Sequence, residues 1–161
     1  MSNDLIKYKY TDGKEYPAIL VCADAVVFSW DYVDNLMVCM IKRKDNGRWA
    51  LPGGFVNYNE TLYGASIREL LEETGLDLCR THDKHYRGSQ LFDAPNRTKK
   101  GNRKITTAYV FTIVSPQLME LYGADDAQQA KWIKWKDVKK LKTFQIHDDH
   151  KEIIEKSIQF I

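Results

Sequence analysis

The sequence predicts an α/β fold in which a mixed β-sheet lies between helices. Three runs rich in Val and aromatic residues are typical of strands, at residues 18–30, Leu36–Arg43 and 104–114. A helical pattern with an apolar stripe occupies the middle of the chain, and a second one covers residues 147–161. Strands that alternate with helices in this order favour a sheet covered on both faces.

The composition fits one domain with one core. The chain has 161 residues, of which 43% are hydrophobic and 12% aromatic. This is enough to bury a full core, so we expect a single domain over residues 1–161. Residues 1–16 are polar, with a turn at Asp12–Gly13, and we interpret them as an N-terminal extension or a first edge strand.

Charge and hydropathy exclude several classes of function. The net charge of +2 implies no general affinity for nucleic acid. The sequence contains no apolar run of membrane-spanning length, and its N-terminus does not resemble a signal peptide, so we expect a cytoplasmic protein with no membrane segment. The cysteines are scattered, and we expect reduced thiols in or near strands. They are Cys22, Cys39 and Cys79.

Strand signals dominate the first third of the chain. Residues 18–30 indicate one or two strands with a break near Ala23–Asp24. Leu36–Arg43 is predicted to form a hairpin with them, and residues 48–51 a short strand after a turn. That strand leads into Pro52, Gly53 and Gly54, which we expect to bend the chain sharply.

The central helix is predicted to begin at Glu60 or Thr61, with Asn59 as its N-terminal cap, and to end at Gly75. Further strands are expected at residues 86–92, 104–114 and 130–135, a helical turn at 135–141 and an amphipathic helix at 147–161. The inward residues of this last helix are predicted to be Ile153, Ile154, Ile158 and Ile161.

The central helix carries three carboxylates on one side, those of Glu69, Glu72 and Glu73. The opposite side is apolar and is predicted to face the core. Its residues are Tyr63, Ile67, Leu70 and Leu71. Like charges at this spacing repel each other, and we expect a divalent cation, not a basic side chain, to balance them. The alternative is a solvated acidic helix face, which does not explain Gly53 and Gly54 upstream.

The spacing of the central segment resembles a known motif. The fixed positions are Gly54, five residues, Glu60, seven residues, Arg68–Glu69, Leu70, one residue, Glu72–Glu73, one residue, Gly75 and Leu76. This pattern is similar to the Nudix box at every fixed position. The resemblance implies the Nudix fold, an α/β/α sandwich with a mixed sheet, and a hydrolase that splits a diphosphate joined to a nucleoside.

The resemblance also implies roles for individual residues. Glu69, Glu72 and Glu73 would bind Mg²⁺ or Mn²⁺, together with the backbone carbonyl of Gly54. Glu72 or Glu69 would also take part in catalysis, while Arg68 would hold the carboxylates in place by charge-assisted hydrogen bonds. Hard cations of this kind prefer oxygen ligands, which agrees with the residue types.

A second resemblance concerns the substrate. Residues 90–97 (QLFDAPNR), 101–107 (GNRKITT) and 144–150 (FQIHDDH) look similar to the Nudix half of bifunctional nicotinamide mononucleotide adenylyltransferases and to the Nudix-like part of NAD-related regulators. That similarity implies ADP-ribose as the nucleotide substrate, with AMP and ribose 5-phosphate as products. It also implies a homodimer, with the N-terminal strand region as its contact. We expect no nucleotidyltransferase or winged-helix activity, because the chain has no room for those domains.

The same resemblance places substrate contacts in and around the basic loop at residues 93–103. The predicted substrate-binding residues are Phe92, Asp93, Arg97 and Arg103. The lysines of this region could meet phosphates or be solvated, and they are Lys99, Lys100 and Lys104. Phe92 could stack on a base or pack in the sheet.

Several alternatives remain open at the level of sequence. The chain could bind ADP-ribose without cleaving it, or it could cleave another nucleotide, such as an oxidised nucleoside triphosphate, NADH, a dinucleoside polyphosphate or capped RNA. Asp125 and Asp126 could contribute a base or a metal contact, or form a solvated turn. His147 and His150 could form a metal pair, although helix capping and solvation are favoured.

Overall fold

The computed structural model describes residues 5–98, 101–114 and 118–161. In chain order the strands are β1 Lys7–Lys9, β2 Glu15–Pro17, β3 Leu20–Trp30, β4 Leu36–Arg43, β5 Trp49–Ala50, β6 Gly53–Phe55, β7 Lys84–Phe92, β8 Lys104–Ile113 and β9 Ala127–Lys134. The helices are α1 Leu62–Thr74, α2 Trp135–Val138 and α3 His150–Ser157, followed by a 3₁₀ turn at Ile158–Phe160.

Strand β3 is the centre of a seven-stranded sheet with the order β5-β4-β3-β8-β7. It pairs antiparallel with β4 and parallel with β8. Strand β6 pairs antiparallel with β3, and β9 pairs antiparallel with β4. The sheet therefore mixes both orientations, which confirms the predicted mixed sheet.

Helices cover both faces of this sheet. Successive side chains of a strand point to opposite faces, so Val26 and Val27 of β3 enter different clusters. Val26 packs in the same cluster as Ile153 and Ile154 of α3, whereas Val27 packs in the same cluster as Leu70 of α1. This arrangement confirms the predicted α/β/α sandwich. No helix within the three described ranges is long and apolar enough to span a membrane.

Two features of the strands near the site differ from the prediction. Strand β3 continues through Ala23–Asp24 without a break, because this pair is held on one side by β6 and on the other by β8. Gly53–Phe55 forms strand β6, although the sequence Pro52-Gly53-Gly54 predicts only a bend. The other strands and α2 lie within about three residues of their predicted positions.

The N-terminal segment forms a hairpin of its own. Strands β1 and β2 pair antiparallel in a separate two-stranded sheet, with the predicted turn at Asp12–Gly13 between them. The Asn102 side chain attaches this hairpin to the body, since its amide accepts from the Ile6 N–H and donates to the carbonyls of Ile6 and Ala18. Neither β1 nor β2 pairs with a strand of the seven-stranded sheet in the part of the chain that the structure describes.

The ends of α1 follow from local hydrogen bonding. Gly75 adopts a left-handed conformation with φ of 72° and closes the helix, as predicted. The N-terminal cap is Thr61, not the predicted Asn59, because the Thr61 hydroxyl accepts from the backbone N–H of Gly64. The prediction thus placed the cap two residues too early.

The apolar stripes of the helices are narrower than predicted. Leu70 is buried, and Ile67 packs against the same cluster. Tyr63 is 42% exposed, but its ring lies 5.9 Å from that of the core residue Phe111. Leu71 is 43% exposed and does not face the core. Helix α3 begins at His150 and not at residue 147, because Ile146 forms a bridge with Trp49 of β5 and residues 148–149 form a turn before the helix. Ile153 and Ile154 are buried as predicted, whereas Ile161 is 40% exposed.

Candidate active site

A cleft of about 300 Å³ lies between α1, the start of α3 and a glycine corner formed by Pro52, Gly53 and Gly54. Its acidic lining side chains are Asp24, Glu69, Glu72, Glu73, Asp125, Asp126 and Asp148. Its basic lining side chains are Arg43, Arg68, Arg97 and Lys104. The acidic groups outnumber the basic ones, which favours a cationic partner. All four predicted metal-binding residues lie in this cleft.

The glycine corner brings backbone directly against the carboxylates of α1. The Gly53 N–H donates to Oε2 of Glu73 at 2.9 Å. A Cβ at Gly54 would lie 2.5 Å from Oε1 of Glu69, closer than any side-chain atom tolerates. Only glycine leaves room here for the carboxylate to lie beside the chain. The corner is held in turn by β3, since the Ala25 N–H donates to the Pro52 carbonyl at 2.9 Å.

Arg68 connects three carboxylates in and beside the cleft. Its Nη1 donates to Glu69 and to Glu72, both at 2.8 Å. Its Nε and Nη2 donate to the two oxygens of Glu60 at 2.9 and 2.7 Å, and Nη2 also donates to the Phe55 carbonyl. The expectation that no basic side chain of the helix balances the acidic group is therefore wrong, because Arg68 lies four residues before Glu72.

Burial makes the negative charge of two of these groups unfavourable. Loss of solvent raises the pKa of Glu73 to about 8, although the Gly53 N–H acts in the opposite direction. Burial also raises the pKa of Glu69, and the Arg68 guanidinium opposes the shift. Glu73 is only 3% exposed, so solvent does little to stabilise its charged form. A positive ion beside these carboxylates would favour their charged forms.

The donor set fits a hard divalent cation. Its oxygens come from carboxylates on neighbouring turns of one helix, and the absent Cβ of Gly54 keeps the adjacent backbone close. Within the residues that the structure describes, no three Asp, Glu, His or Cys side chains are yet arranged as a metal-binding group. Arg68 holds Glu69 and Glu72 from one side, and a bound ion would have to share them with that guanidinium.

A second groove, of about 690 Å³, lies between the end of β7 and α3. Phe92, Asp93 and Arg97, which were predicted to bind substrate, line it. Arg97 also lines the acidic cleft, so it stands between the two spaces. Its Nε and Nη2 donate to the two carboxylate oxygens of Asp149, both at 2.9 Å.

The other residues of the basic loop are placed differently. Arg103 lines neither space, and its Nη2 donates to the Asp93 carbonyl at 2.7 Å. Lys104 lines the acidic cleft, with its Nζ 5.2 Å from the centre of the Phe55 ring. Phe92 is 7% exposed and packs in the core cluster below the groove. Lys99 and Lys100 lie outside the described residues.

His150 is a site residue whose role the sequence did not indicate. Its Nδ1 accepts a hydrogen bond from the Leu51 N–H at 2.9 Å, so the imidazole is held next to the glycine corner. His147 also lines the cleft, and its Nδ1 is buried without a partner among the described residues. Asp149 is the N-cap residue of α3, but its carboxylate binds Arg97 and accepts no hydrogen bond from the backbone of the helix.

The environment of His150 disfavours its protonated form. Burial, and to a smaller extent the nearby His147 and Arg97, lower the pKa of His150 to about 3, although Asp149 and Asp148 oppose the shift. The unfolded chain binds a proton near pH 6.5 and the folded chain does not until about pH 3. The contribution of His150 to the free energy of unfolding is therefore complete above about pH 6.5 and is lost as the pH falls towards 3.

His150→Asn tests this pH dependence, because Asn keeps a hydrogen-bond acceptor and does not titrate. From about pH 7.5 to about pH 5.5 we expect the wild type to lose about 1.4 kcal/mol more free energy of unfolding than this variant. Urea unfolding at both pH values measures the difference. Equal losses in the two proteins would show that the imidazole is not held neutral by the fold.

The comparisons with known proteins agree with this geometry. Residues 21–156 match the NUDIX domain family. The chain is 34% identical over 152 residues to an ADP-ribose pyrophosphatase of Methanocaldococcus jannaschii, covering 91% of this chain and 79% of that protein. The described cleft lies within the matched residues.

Two solved structures are similar in fold as well as sequence. A MutT/nudix family protein from Enterococcus faecalis matches with a TM-score of 0.71 and 28% identity, over 91% of this chain and 63% of that one. A bifunctional NMN adenylyltransferase/ADP ribose pyrophosphatase from Francisella tularensis, complexed with AMP and a manganese ion, matches with a TM-score of 0.66 and 30% identity, over 89% of this chain and 42% of that one. The family match covers most of the chain, and the fold and the spacing of the acidic helix agree with it. The chain therefore belongs to the NUDIX family.

Proposed function

We propose that this Nudix hydrolase cleaves the diphosphate of ADP-ribose to AMP and ribose 5-phosphate. The observation that carries the proposal is the placement of Glu69, Glu72 and Glu73 around one cleft beside the Gly54 backbone. The substrate is supported by the similarity to the archaeal ADP-ribose pyrophosphatase over 91% of this chain. The segments at residues 90–97 and 144–150, which look similar to Nudix domains associated with ADP-ribose, both line the 690 Å³ groove.

Nudix hydrolases generally need a divalent metal, and we propose Mg²⁺, or Mn²⁺, for this one. Glu69, Glu72, Glu73 and the Gly54 carbonyl would hold it. The bound metal would neutralise phosphate charge and lower the pKa of a water molecule. Glu72 or Glu69 would accept a proton from that water molecule. The water oxygen would bond to phosphorus, and the bridging P–O bond of the diphosphate would break. Arg68 would keep both carboxylates oriented for this step.

The substrate would extend from the cleft into the neighbouring groove. Arg97 lines both spaces, so it would lie beside the diphosphate while Phe92 and Asp93 face the groove. Arg103 would support this region through its hydrogen bond to the Asp93 carbonyl. Within the cleft, Lys104 and Arg43 offer further positive charge for phosphate oxygens.

We also propose a homodimer, with the β1–β2 hairpin as part of its contact. The hairpin presents apolar and aromatic side chains to solvent, and they are Ile6, Tyr8, Tyr10 and Tyr16. The rings of Tyr8 and Tyr16 stack on each other with their centres 5.6 Å apart. Aromatic groups of this kind are enriched at protein interfaces.

A substrate panel tests the proposed function. We expect Mg²⁺-dependent release of AMP from ADP-ribose, detected by chromatography, and no release in excess chelator. The panel should include an oxidised nucleoside triphosphate, NADH, a dinucleoside polyphosphate and a cap analogue. Much faster turnover of one of these compounds would refute the assignment of ADP-ribose as the substrate, but the assignment as a Nudix hydrolase would remain. Tight binding of ADP-ribose without any cleavage would instead support a binding module.

A further inference from the structure

Residues 145–150 run beside the short strand that leads into the glycine corner. Ile146 forms a parallel bridge with Trp49. The Trp49 N–H donates to the Gln145 carbonyl at 2.9 Å, and the His147 N–H donates to the Trp49 carbonyl at 2.8 Å. The segment is thus fixed to β5 by backbone hydrogen bonds, and its next residues reach both parts of the active site.

His150 holds the glycine corner from this side. Its Nδ1 accepts the Leu51 N–H at 2.9 Å in a buried setting, where that N–H has no water to replace the lost partner. The next residue, Pro52, is held from the other side, because its carbonyl accepts from the Ala25 N–H. The backbone entering Gly53 and Gly54 is therefore fixed by one hydrogen bond on each side.

Asp149 holds the arginine that separates the cleft from the groove. Its carboxylate accepts two hydrogen bonds from Arg97, both of 2.9 Å, in a bidentate pair. The two side chains are 15% and 6% exposed, so the pair is screened little by solvent. The pair fixes the orientation of the guanidinium at the boundary of the cleft and the groove, both of which Arg97 lines.

We propose that Asp149 and His150 are positioning residues for hydrolysis, with His150 acting on the metal side of the site and Asp149 on the substrate side. The inference rests on the proposed function, because it assigns the cleft to a divalent metal and the groove to the substrate. Adjacent residues at the start of one helix thus set the geometry of two separate parts of the site. Groups that orient metal ligands from outside the ligand shell affect metal affinity or activity by about 10- to 100-fold.

The His150 part is tested by metal binding, which does not require turnover. His150→Leu removes the acceptor for the Leu51 N–H, whereas His150→Asn keeps an acceptor at the same number of bonds from the backbone. Calorimetric titration with Mn²⁺ is expected to show about 10-fold weaker binding in His150→Leu and an affinity near that of the wild type in His150→Asn. His85→Leu, on an exposed part of β7, is the matched control. Equal affinities in all four proteins would overturn this part.

The Asp149 part is tested by steady-state kinetics. Asp149→Asn releases Arg97 from its charged pair and is expected to raise KM by about 10-fold, with kcat and the Mn²⁺ affinity nearly unchanged. Asp137→Asn, in an exposed pair with Lys140, is the matched control. A loss of kcat with unchanged KM, or no change in either constant, would contradict the assignment. A melting temperature near that of the wild type shows that each variant is folded.

The two proposals can fail separately. If the wild type cleaves ADP-ribose and the variants equal it in KM and Mn²⁺ affinity, the positioning roles are wrong and the function stands. If the wild type prefers another member of the substrate panel, KM is measured with that compound, and the Mn²⁺ titrations are unaffected. That KM and the Mn²⁺ affinities then test the positioning roles, whether or not ADP-ribose is the substrate.

Discussion

Glu73→Gln is expected to lower kcat for ADP-ribose by roughly 10²- to 10⁴-fold, the loss that follows when a metal-dependent site gives up several kcal/mol of transition-state stabilisation. The amide keeps the length of the side chain and can still accept the Gly53 N–H, which donates to Glu73 at 2.9 Å. It cannot supply the negative charge that a divalent cation requires. Glu73 is 3% exposed, so solvent does little to replace the charge that the substitution removes.

Glu15→Gln is the control for this substitution, since Glu15 lies in the exposed hairpin and pairs only with Lys7 among the described residues. Steady-state kinetics and Mn²⁺ titration measure the two effects, and thermal unfolding tests the fold. We expect Glu73→Gln to melt within a few degrees of the wild type, because size and one hydrogen bond are retained. Wild-type turnover in this variant, or activity in excess chelator, would refute the metal role of Glu73.

Features with a strong local sequence signal were predictable. Gly75 ends α1 as expected, because a left-handed residue after a helix is almost always glycine. The strands with long Val-rich runs were also located correctly, since burial on both faces leaves a continuous apolar pattern. The cap was misplaced by two residues because Asn59 and Thr61 are both good capping residues. Only the hydrogen bond from Gly64 decides between them.

The parts of the site that depend on distant residues could not be predicted. His150 and Leu51 are separated by 99 positions, and Arg97 and Asp149 by 52. No periodicity or spacing rule connects such pairs, so the residue types suggest a substrate contact for Arg97 and a metal pair, capping or solvation for His150, but not these partners. The same reason explains β6, whose two glycines carry no strand signal and form a strand because β3 supplies the partner groups.

Gly54→Ala and Gly53→Ala are expected to separate catalysis from stability at neighbouring positions. A Cβ at Gly54 would meet the Glu69 carboxylate, at 2.5 Å from Oε1 and 2.7 Å from Cδ. The end of a side chain can move aside, so the fold should tolerate the methyl group while Glu69 leaves its place beside the backbone. We expect kcat/KM to fall by about 100-fold and the Mn²⁺ affinity by about 10-fold, with the melting temperature changed by only a few degrees.

At Gly53 the obstacle is backbone, so the consequence is different. A Cβ there would lie 2.6 Å from the Ala23 carbonyl oxygen and 2.8 Å from the Asp24 Cα, and the central strand would have to shift. Gly53→Ala should therefore lose about 1–3 kcal/mol of free energy of unfolding, the usual cost of overfilling a packed region. Gly64→Ala, on α1, is the control, because its Cβ would meet only the Thr61 hydroxyl at 3.2 Å.

Urea unfolding and Mn²⁺ titration of the three variants test these expectations. If Gly54→Ala kept full activity, the close approach of Glu69 to the glycine corner would have no part in catalysis. If Gly53→Ala were as stable as the wild type, the tight pairing of β6 with β3 would not be needed to hold that corner.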